Sequence, residues 1–393
     1  MELRLILTPL IAAAAAYVFP FNRWRAWIVV LGALAHLLFV GGALADEPPT
    51  SALEGLLQLD PLGKLVLILI SVSFFVYSVY AVGYLTLRFE RKNRVFCACL
   101  LLALSTMTLV VLSHDVGLMW VGMEATTLAC GPLLYFNRSA GSTEATWKYL
   151  LIGSVGIALA LFGSFFLAYA SLHAGLESTL MFDDLLRQAP QLSRPWLHAS
   201  FVLLLVGYGT KMGLAPMHTW KPDAYGEAPG VVGALLAGGV TSCAFLAILR
   251  FYQICQAAGE GDFARELLVF LGLFSMGLAS VFMVRQRDFK RMLAYSSVEH
   301  MGILVLGIGI GGVATFGALL HLINNGLTKG VLFLSAGNIH RAYDSKSTED
   351  VKRRHSQTAA FRDVVSRRIP GDHRVAAGRA VLERVHNPER RNR

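Results

Sequence analysis

The chain has 393 residues, of which 55% are hydrophobic and 16% are charged, with a mean hydropathy of +0.54 and a net charge of +9. Soluble domains have roughly a quarter of their residues charged, so this composition excludes a string of ordinary soluble domains and favours a multi-span membrane protein. The five cysteines form no C-x-x-C pair, and no glycine-rich nucleotide loop has the required context. We therefore expect no cofactor, no metal site and no nucleic-acid partner.

Apolar runs long enough to cross a bilayer recur along the chain. A hydrocarbon core about 30 Å thick requires about 20 apolar helical residues. Run length and flanking charge predict an all-α integral membrane bundle of about eleven transmembrane helices. The predicted spans are 3–19, 26–45, 62–87, 95–112, 116–136, 147–172, 197–214, 231–252, 267–284, 292–310 and 313–339. The first resembles a signal peptide, but its weak charged start favours a retained helix.

The loops between the predicted spans alternate in charge. Basic loops follow the first, third, fifth and ninth spans, and acidic loops follow the second and eighth. Cytoplasmic loops are enriched in Lys and Arg, so the N-terminus should lie outside and the basic tail inside a bacterial inner membrane. The loop charges are Arg23, Arg25, Asp46, Glu47, Glu54, Arg88, Arg91, Lys92, Arg94, Arg138, Glu260, Asp262, Glu266, Arg285, Arg287, Lys290 and Arg291.

Two ionisable residues stand inside predicted spans with opposite charge. Glu124 lies in MWVGMEATTLACGPLLYF and Lys211 in LLLVGYGTKMGLAPMHTWKPDAYGEAPG. An intramembrane charge is unfavourable and marks a functional site by default. The alternatives are a snorkelling carboxylate and a simple helix end. Gly213 and Pro216 after the lysine favour a broken helix, which in transporters exposes backbone groups to a polar cavity.

Two further lysines share a spaced pattern. Lys148 and Lys329 both begin K-x-x-L-x-x-S-x-G, which indicates either an internal repeat or a chance match. His321 precedes Lys329 by two helical turns, on a similar face. It could relay protons or be a hydrogen-bonded core histidine. Acidic and basic groups alternating across the membrane predict a proton path through Glu124, Lys211, Lys148, Lys329 and His321.

The motifs that contain these residues resemble one superfamily. They are EATTL, TEATWKYLLIGSVGIALALFG, GTKMGLAPMHTWKPDAYGEAPG, RDFKRMLAYSSVEHMG and HLINNGLTKGVLFLSAGN. The chain thus resembles the antiporter-like membrane subunits of respiratory complex I, multisubunit cation/proton antiporters and group 4 hydrogenases, and within them most closely the F subunit of hydrogenase-4. The resemblance runs from about the third span to about residue 351.

The resemblance implies a fold of inverted repeats and a role for each motif residue. Glu124 and Lys211 match the carboxylate–lysine proton pair, Lys148 the lysine of the neighbouring helix, and Lys329 with His321 the lysine helix that links two half-channels. The implied organisation is N-terminal helices at 1–93, a first repeat at 94–255, a partial second repeat at 256–345 and a basic, disordered tail at 346–393. The residues of the broken-helix loop are His218, Trp220, Pro222 and Asp223.

The sequence also departs from the family pattern. Lys221 replaces a usual leucine, Ala237 stands where related subunits have a histidine, and Asn325 replaces the second histidine of H-x-x-x-H. Relatives continue into a second broken helix, whereas here an arginine-rich stretch follows Lys352. We expect a C-terminally truncated chain with a frame-shifted tail.

The expected function is proton translocation in a redox-driven complex, either hydrogenase-4-like or NADH-quinone oxidoreductase-like. Other membrane and peripheral subunits would be its partners, alongside lipid, since the chain has no redox centre of its own. Two alternatives stay open. One is a subunit of a multisubunit Na⁺/H⁺ antiporter, and the other is a truncated, non-functional product.

Overall fold

The structure is a computed structural model that describes residues 2–45, 51–53, 55–88 and 90–355. Asp46, Glu47 and Glu54 lie outside the described residues, as does the tail from 356. The helices are α1 Glu2–Val18, α2 Asn22–Ala45, α3 Pro61–Thr86, α4 Arg94–Leu112, α5 Val116–Leu134, α6 Ala140–His173, α7 Phe182–Gln188, α8 Arg194–Met212, α9 Trp220–Glu227, α10 Gly230–Leu235, α11 Thr241–Ala257, α12 Gly261–Met283, α13 Phe289–Ile310 and α14 Val313–Tyr343. A π-helical turn, Leu236–Val240, joins α10 to α11, and strands β1 Ser51–Ala52 and β2 Leu57–Gln58 form a small antiparallel hairpin.

The all-α membrane fold predicted from the sequence is confirmed. Each of the eleven predicted spans coincides with a long helix, and α10, the π-turn and α11 together form one of them. In the described residues, seven helices are long and apolar enough to cross a membrane. They are α2, α3, α4, α6, α10–α11, α12 and α13. The total of eleven crossings stays a prediction.

Polar residues at helix starts define where several spans begin. Asp60 caps α3 by accepting a 2.8 Å hydrogen bond from the Gly63 backbone N–H. Asp115 caps α5 in the same way, through the backbone N–H of Leu118. Such side chains satisfy backbone donors that have no partner within the helix. The entry points of these spans are therefore set by local sequence.

Small residues let α6 and α8 approach closely. A Cβ at Gly207 would lie 2.7 Å from both the Ala160 Cβ and the Gly156 carbonyl oxygen. One at Gly163 would lie 2.9 Å from the backbone nitrogen of Leu204. Membrane helices associate through such small-residue contacts, because lipid provides no hydrophobic force between them. This contact brings the end of α8 beside α6.

The break predicted after Lys211 is confirmed. Helix α8 ends at Met212, and Gly213 follows with a φ of 78°, a left-handed conformation that glycine adopts without strain. The chain resumes as α9 only at Trp220, whose indole Nε1 donates a 2.9 Å hydrogen bond to the Thr210 carbonyl. The second gap, before α10, contains Pro229.

The described residues divide into two compact units. The larger comprises 2–286 and 290–338, with the breaks in description given above, and contains the lysine-bearing helices. The smaller comprises 287–289 and 339–355, where the Phe289 N–H donates to the Lys346 carbonyl at 3.1 Å and the Thr348 N–H to the Arg287 carbonyl at 3.0 Å. Residues 348–355 are helical. The proposed domain boundaries stay predictions, and the predicted disorder of the tail lies largely outside the described residues.

Candidate functional site

Glu124 and Lys211 meet between α5 and α8. Their charged groups are 4.0 Å apart, and the Lys211 side chain is only 1% exposed while that of Glu124 is 24% exposed. The hydroxyl of Thr127 lies between them. It accepts a hydrogen bond from the Lys211 ammonium and lies 3.2 Å from Glu124 Oε2, to which it can donate. The same hydroxyl is also 3.2 Å from the Met123 carbonyl, so its one proton has two possible acceptors.

Helix α6 completes this cluster. The Ser154 hydroxyl donates a 2.7 Å hydrogen bond to Glu124 Oε1, so both carboxylate oxygens have a hydroxyl partner. The Lys211 ammonium lies 5.5 Å from the centroid of the Tyr149 ring, a cation–π distance. It also lies against Gly153, where a Cβ would be 2.7 Å from the Lys211 nitrogen. The absence of a side chain at Gly153 therefore makes room for the ammonium group.

Lys329 occupies a second buried position, in α14. Its ammonium donates a 2.7 Å hydrogen bond to the Ser296 hydroxyl of α13. His321, two turns earlier on α14, has its Nε2 3.0 Å from Nδ1 of His300. One ring nitrogen of such a pair must carry the proton that the other accepts, so the two imidazoles can exchange a proton directly.

Lys148 lies in different surroundings. Its side chain is 42% exposed, and its ammonium is 2.7 Å from Asp223 Oδ2 and 2.6 Å from Glu144 Oε1. Asp223 also binds Arg291, whose Nη2 lies 2.7 Å from Oδ1. These four residues form what we call the ionic cluster, which ties α6 and α13 to α9. The structure thus brings Glu124 and Lys211 together and gives Lys148 separate partners.

Three groups inside the helix bundle, two of them buried and one partly buried, were not among the residues singled out from the sequence. Lys221 was noticed only as a departure from the family pattern, although it is 0% exposed. His300 was quoted within a motif without a role, and only its contact with His321 reveals one. Arg250 is buried in α11 and bonds to Asp60 Oδ1 and the Val111 carbonyl, each at 2.8 Å. An arginine in an apolar span was the available signal for the last of these.

The arrangement can hold and pass protons. A carboxylate accepts a proton, an ammonium donates one, and a threonine hydroxyl can do both at once. The Glu124–Thr127–Lys211 contact therefore offers a short transfer route inside the helix bundle. Burial makes the charge state of each partner depend strongly on the other, because Coulomb interactions are weakly screened away from water.

Comparisons with known proteins agree with this architecture. Residues 113–356 match the family described as "NADH:quinone oxidoreductase/Mrp antiporter, TM". The chain is 34% identical to a hydrogenase-4 component F homolog of Methylacidiphilum infernorum, covering 86% of this chain and 75% of that protein. It is 32% identical to NADH-quinone oxidoreductase subunit N of Desulforudis audaxviator, covering 86% and 70%.

A solved structure has the same fold. A chain of respiratory complex I from Thermus thermophilus superposes with a TM-score of 0.73 at 25% identity, covering 87% of this chain and 72% of that one. The family match extends from just before α5 past the end of α14 and so includes Lys148, Lys211, Lys221 and Lys329. The chain therefore belongs to the NADH:quinone oxidoreductase/Mrp antiporter family of membrane proteins.

Proposed function

We propose that this chain is the proton-translocating membrane subunit of a redox-driven complex, hydrogenase-4-like or NADH-quinone oxidoreductase-like. The observation that carries the proposal is the Glu124–Thr127–Lys211 contact, a carboxylate and an ammonium joined by a hydroxyl inside a bundle of apolar helices. Intramembrane ionisable residues of this kind mark ion and proton pathways. The two relatives at 34% and 32% identity are named as subunits of such complexes.

The proposed path uses the remaining lysines in order. Lys148, within the exposed ionic cluster, is the residue where protons enter from the aqueous phase. Glu124 and Lys211 form the central exchange pair. Lys329, with His321 and its partner His300, continues the path through α13 and α14. Movement of a neighbouring charge would separate Glu124 from Lys211 and transfer a proton, because their interaction is strong at low dielectric.

The proposed setting is a bacterial inner membrane. Partner subunits, both membrane-embedded and peripheral, would carry out the redox chemistry, since we assign no redox centre to this chain. A second candidate is a subunit of a multisubunit Na⁺/H⁺ antiporter, which the family description also names. The two candidates share the Glu124–Lys211 pair and differ in whether a sodium gradient can drive proton movement.

The test is proton flux through the purified full chain in liposomes. A potassium diffusion potential drives protons, and a trapped pH dye reports their movement. We expect Glu124→Gln and Lys211→Ala each to reduce the flux by about a hundredfold or more. Glu177→Gln, at an exposed carboxylate, is the matched control and should transport normally.

The pair variants test the proposed role, and the driving force separates the two candidates. Normal flux in either pair variant would remove that residue from the mechanism and overturn the proposed role. Replacing the potassium potential by a sodium gradient separates the candidates. Proton movement driven by sodium alone would favour the antiporter, whereas movement driven only by the potential would favour the redox-driven subunit.

A further inference from the structure

Lys221 crosses the gap where the seventh predicted span breaks. It stands in the first turn of α9 and its side chain is fully buried. Its methylene groups pass directly over Gly213, where a Cβ would overlap Lys221 Cδ and Cε and lie 2.8 Å from Nζ. Gly213 is two residues beyond Lys211. The break in the helix thus leaves space that this lysine fills.

The partners of Lys221 are few and weak. Its ammonium lies 3.4 Å from the Ser297 hydroxyl and 5.8 Å from the centroid of the Tyr225 ring. No carboxylate of the described residues lies within ion-pair distance of it. Burying an ammonium ion without a charged partner is unfavourable, so such a group is not an efficient structural anchor.

Two other buried cations of the chain have strong hydrogen-bond partners. Arg250 has a carboxylate and two carbonyls within 2.8 Å, at Asp60, Val111 and Ser113. Lys290 donates a 2.6 Å hydrogen bond to the Ala228 carbonyl. Lys221 has no comparable partner, and its single hydroxyl at 3.4 Å is beyond the usual N–H···O distance of about 2.7–3.2 Å. Its surroundings therefore stabilise the charged form of the amine less than those of Arg250 or Lys290 do.

Lys221 and Lys329 contact neighbouring serines of α13. The hydroxyl partner of Lys221, Ser297, is adjacent in sequence to Ser296, which binds Lys329 at 2.7 Å. Like charges repel, and the ammonium groups of these two lysines contact adjacent residues of the same helix. A proton on one lysine therefore disfavours a proton on the other, as expected of neighbouring proton-binding residues on a proton path.

Three aromatic side chains lie between Lys221 and Lys211. The ring of Tyr149, near Lys211, lies 5.2 Å from that of Trp220, which lies 6.0 Å from that of Tyr225, near Lys221. These rings pack the space between the two ammonium groups. They also pack α9 against α6.

We propose that Lys221 is a further proton-binding residue, which connects the Glu124–Lys211 pair to Lys329; the inference rests on the function proposed above. In the transfer step an N–H bond of the Lys221 ammonium breaks and its electron pair stays on nitrogen. The proton passes by way of the Ser297 hydroxyl and intervening water to the neutral amine of Lys329, which becomes an ammonium. Nothing is oxidised or reduced, and one positive charge moves from α9 to α14.

The proposal is tested by three variants of the full chain in the liposome assay. Lys221→Met keeps most of the side-chain volume and binds no proton, whereas Lys221→Arg carries a charge that it does not release. We expect both to reduce flux at least about tenfold. Lys92→Met, at an exposed lysine, is the matched control and should leave flux unchanged. Thermal unfolding of each purified variant checks that it is folded.

Each outcome of these measurements supports or overturns the inference. Normal flux in Lys221→Met would overturn the inference. Normal flux in Lys221→Arg would also overturn it, because a fixed charge would then suffice. If neither variant folds, Ser297→Ala decides: slowed flux supports the inference and normal flux overturns it. A wild-type chain without flux would instead overturn the proposed function, together with this inference.

Discussion

The buried lysines and the ionic cluster contain the same residue types in opposite surroundings. Lys211 and Lys329 are almost fully buried, and each has a hydroxyl as its hydrogen-bond partner. Lys148 is 42% exposed and has two carboxylates within 2.7 Å. A lysine that is paired with carboxylates near water is stabilised in its charged form and therefore releases its proton less readily. A lysine held by a hydroxyl away from water can respond to any change in nearby charge.

The difference also shows that a shared sequence pattern does not imply a shared environment for its lysine. Lys148 and Lys329 begin the same K-x-x-L-x-x-S-x-G pattern, yet Lys148 is in the third turn of α6 and Lys329 near the middle of α14. Depth along the helix, and not the neighbouring sequence, separates their environments. The predictions below test this contrast between buried and exposed lysines.

The largest effect is expected from a substitution that removes no ionisable group. Gly153→Val places carbon atoms where the Lys211 ammonium lies, since even a Cβ would be 2.7 Å from it. We expect flux to fall about a hundredfold, with overpacking lowering the free energy of unfolding by about 1–3 kcal/mol. Flux and thermal unfolding are measured on the same preparation.

The control for this substitution is Gly83→Val on α3. A Cβ at Gly83 would have no atom within 4 Å, so the change introduces the same side chain without a clash. Both variants carry the same change in intrinsic helix propensity. If Gly153→Val transported protons at the wild-type rate, the position of Lys211 beside α6 would be irrelevant to transport.

A smaller effect is expected from the hydroxyl between the central pair. Thr127→Val keeps the shape of the side chain and removes the group that joins Lys211 to Glu124. Losing a hydrogen bond to a charged group costs about 1.5–3 kcal/mol, which corresponds to a reduction in flux of about tenfold or more. Proton flux in liposomes is the measurement.

Thr126→Val supplies a matched comparison one residue away. Thr126 is equally buried, but its hydroxyl donates only to the Met123 carbonyl, at 2.7 Å. It should transport at close to the wild-type rate. Equal flux in both threonine variants would show that the Thr127 hydroxyl is not part of the transfer route.

The sequence predicted the fold better than it predicted the site. The apolar runs located every long helix. In a membrane, a single apolar segment can pair its backbone N–H and C=O groups in hydrogen bonds only by forming a helix. The break after Lys211 was also readable, from glycine and proline. The approach of Glu124 to Lys211 followed from the family motifs, and the structure places them 4.0 Å apart.

What the sequence did not reveal depends on how helices rotate against each other. The ionic cluster of Lys148, the bridging hydroxyl of Thr127 and the His300–His321 contact each join different helices. The burial of Lys221 depends on the space above Gly213, which only the folded break creates. Apolar periodicity could not locate these contacts, because helices α3–α6 and α14 are apolar on most of their faces.

A still smaller effect is expected from the ionic cluster. Lys148→Met removes a partly buried ion pair to Asp223 and an exposed one to Glu144, and an exposed pair is worth roughly 0–1 kcal/mol. If Lys148 only delivers protons from water, flux should fall a few-fold, far less than in Lys211→Ala. Adding salt to the wild type should produce part of the same decrease, since salt screens exposed charges.

Asp223→Asn tests whether the ionic cluster delivers protons or only holds α9 in place. This change weakens the contacts to both Lys148 and Arg291 while keeping the size of the side chain. A stability loss with normal flux would assign the cluster to holding α9 in place. A hundredfold loss of flux in Lys148→Met would contradict the comparison, since the exposed lysine would then matter as much as the buried one.

The last prediction concerns the sides of the membrane on which two connecting segments lie, and the variants should leave flux unchanged. Alternating loop charge predicts that Lys92 lies on the cytoplasmic side and Asp262 on the outer side. Both residues are exposed, so Lys92→Cys and Asp262→Cys should react with a membrane-impermeant thiol reagent from one side only. Four of the five native cysteines are buried and the fifth, Cys99, is partly buried, so the unsubstituted chain provides the background. Labelling in intact cells should modify Asp262→Cys, and labelling in inverted vesicles should modify Lys92→Cys. If both cysteines reacted from the same side, the number of crossings between them would be even, and the predicted count of eleven spans with an outer N-terminus would be wrong.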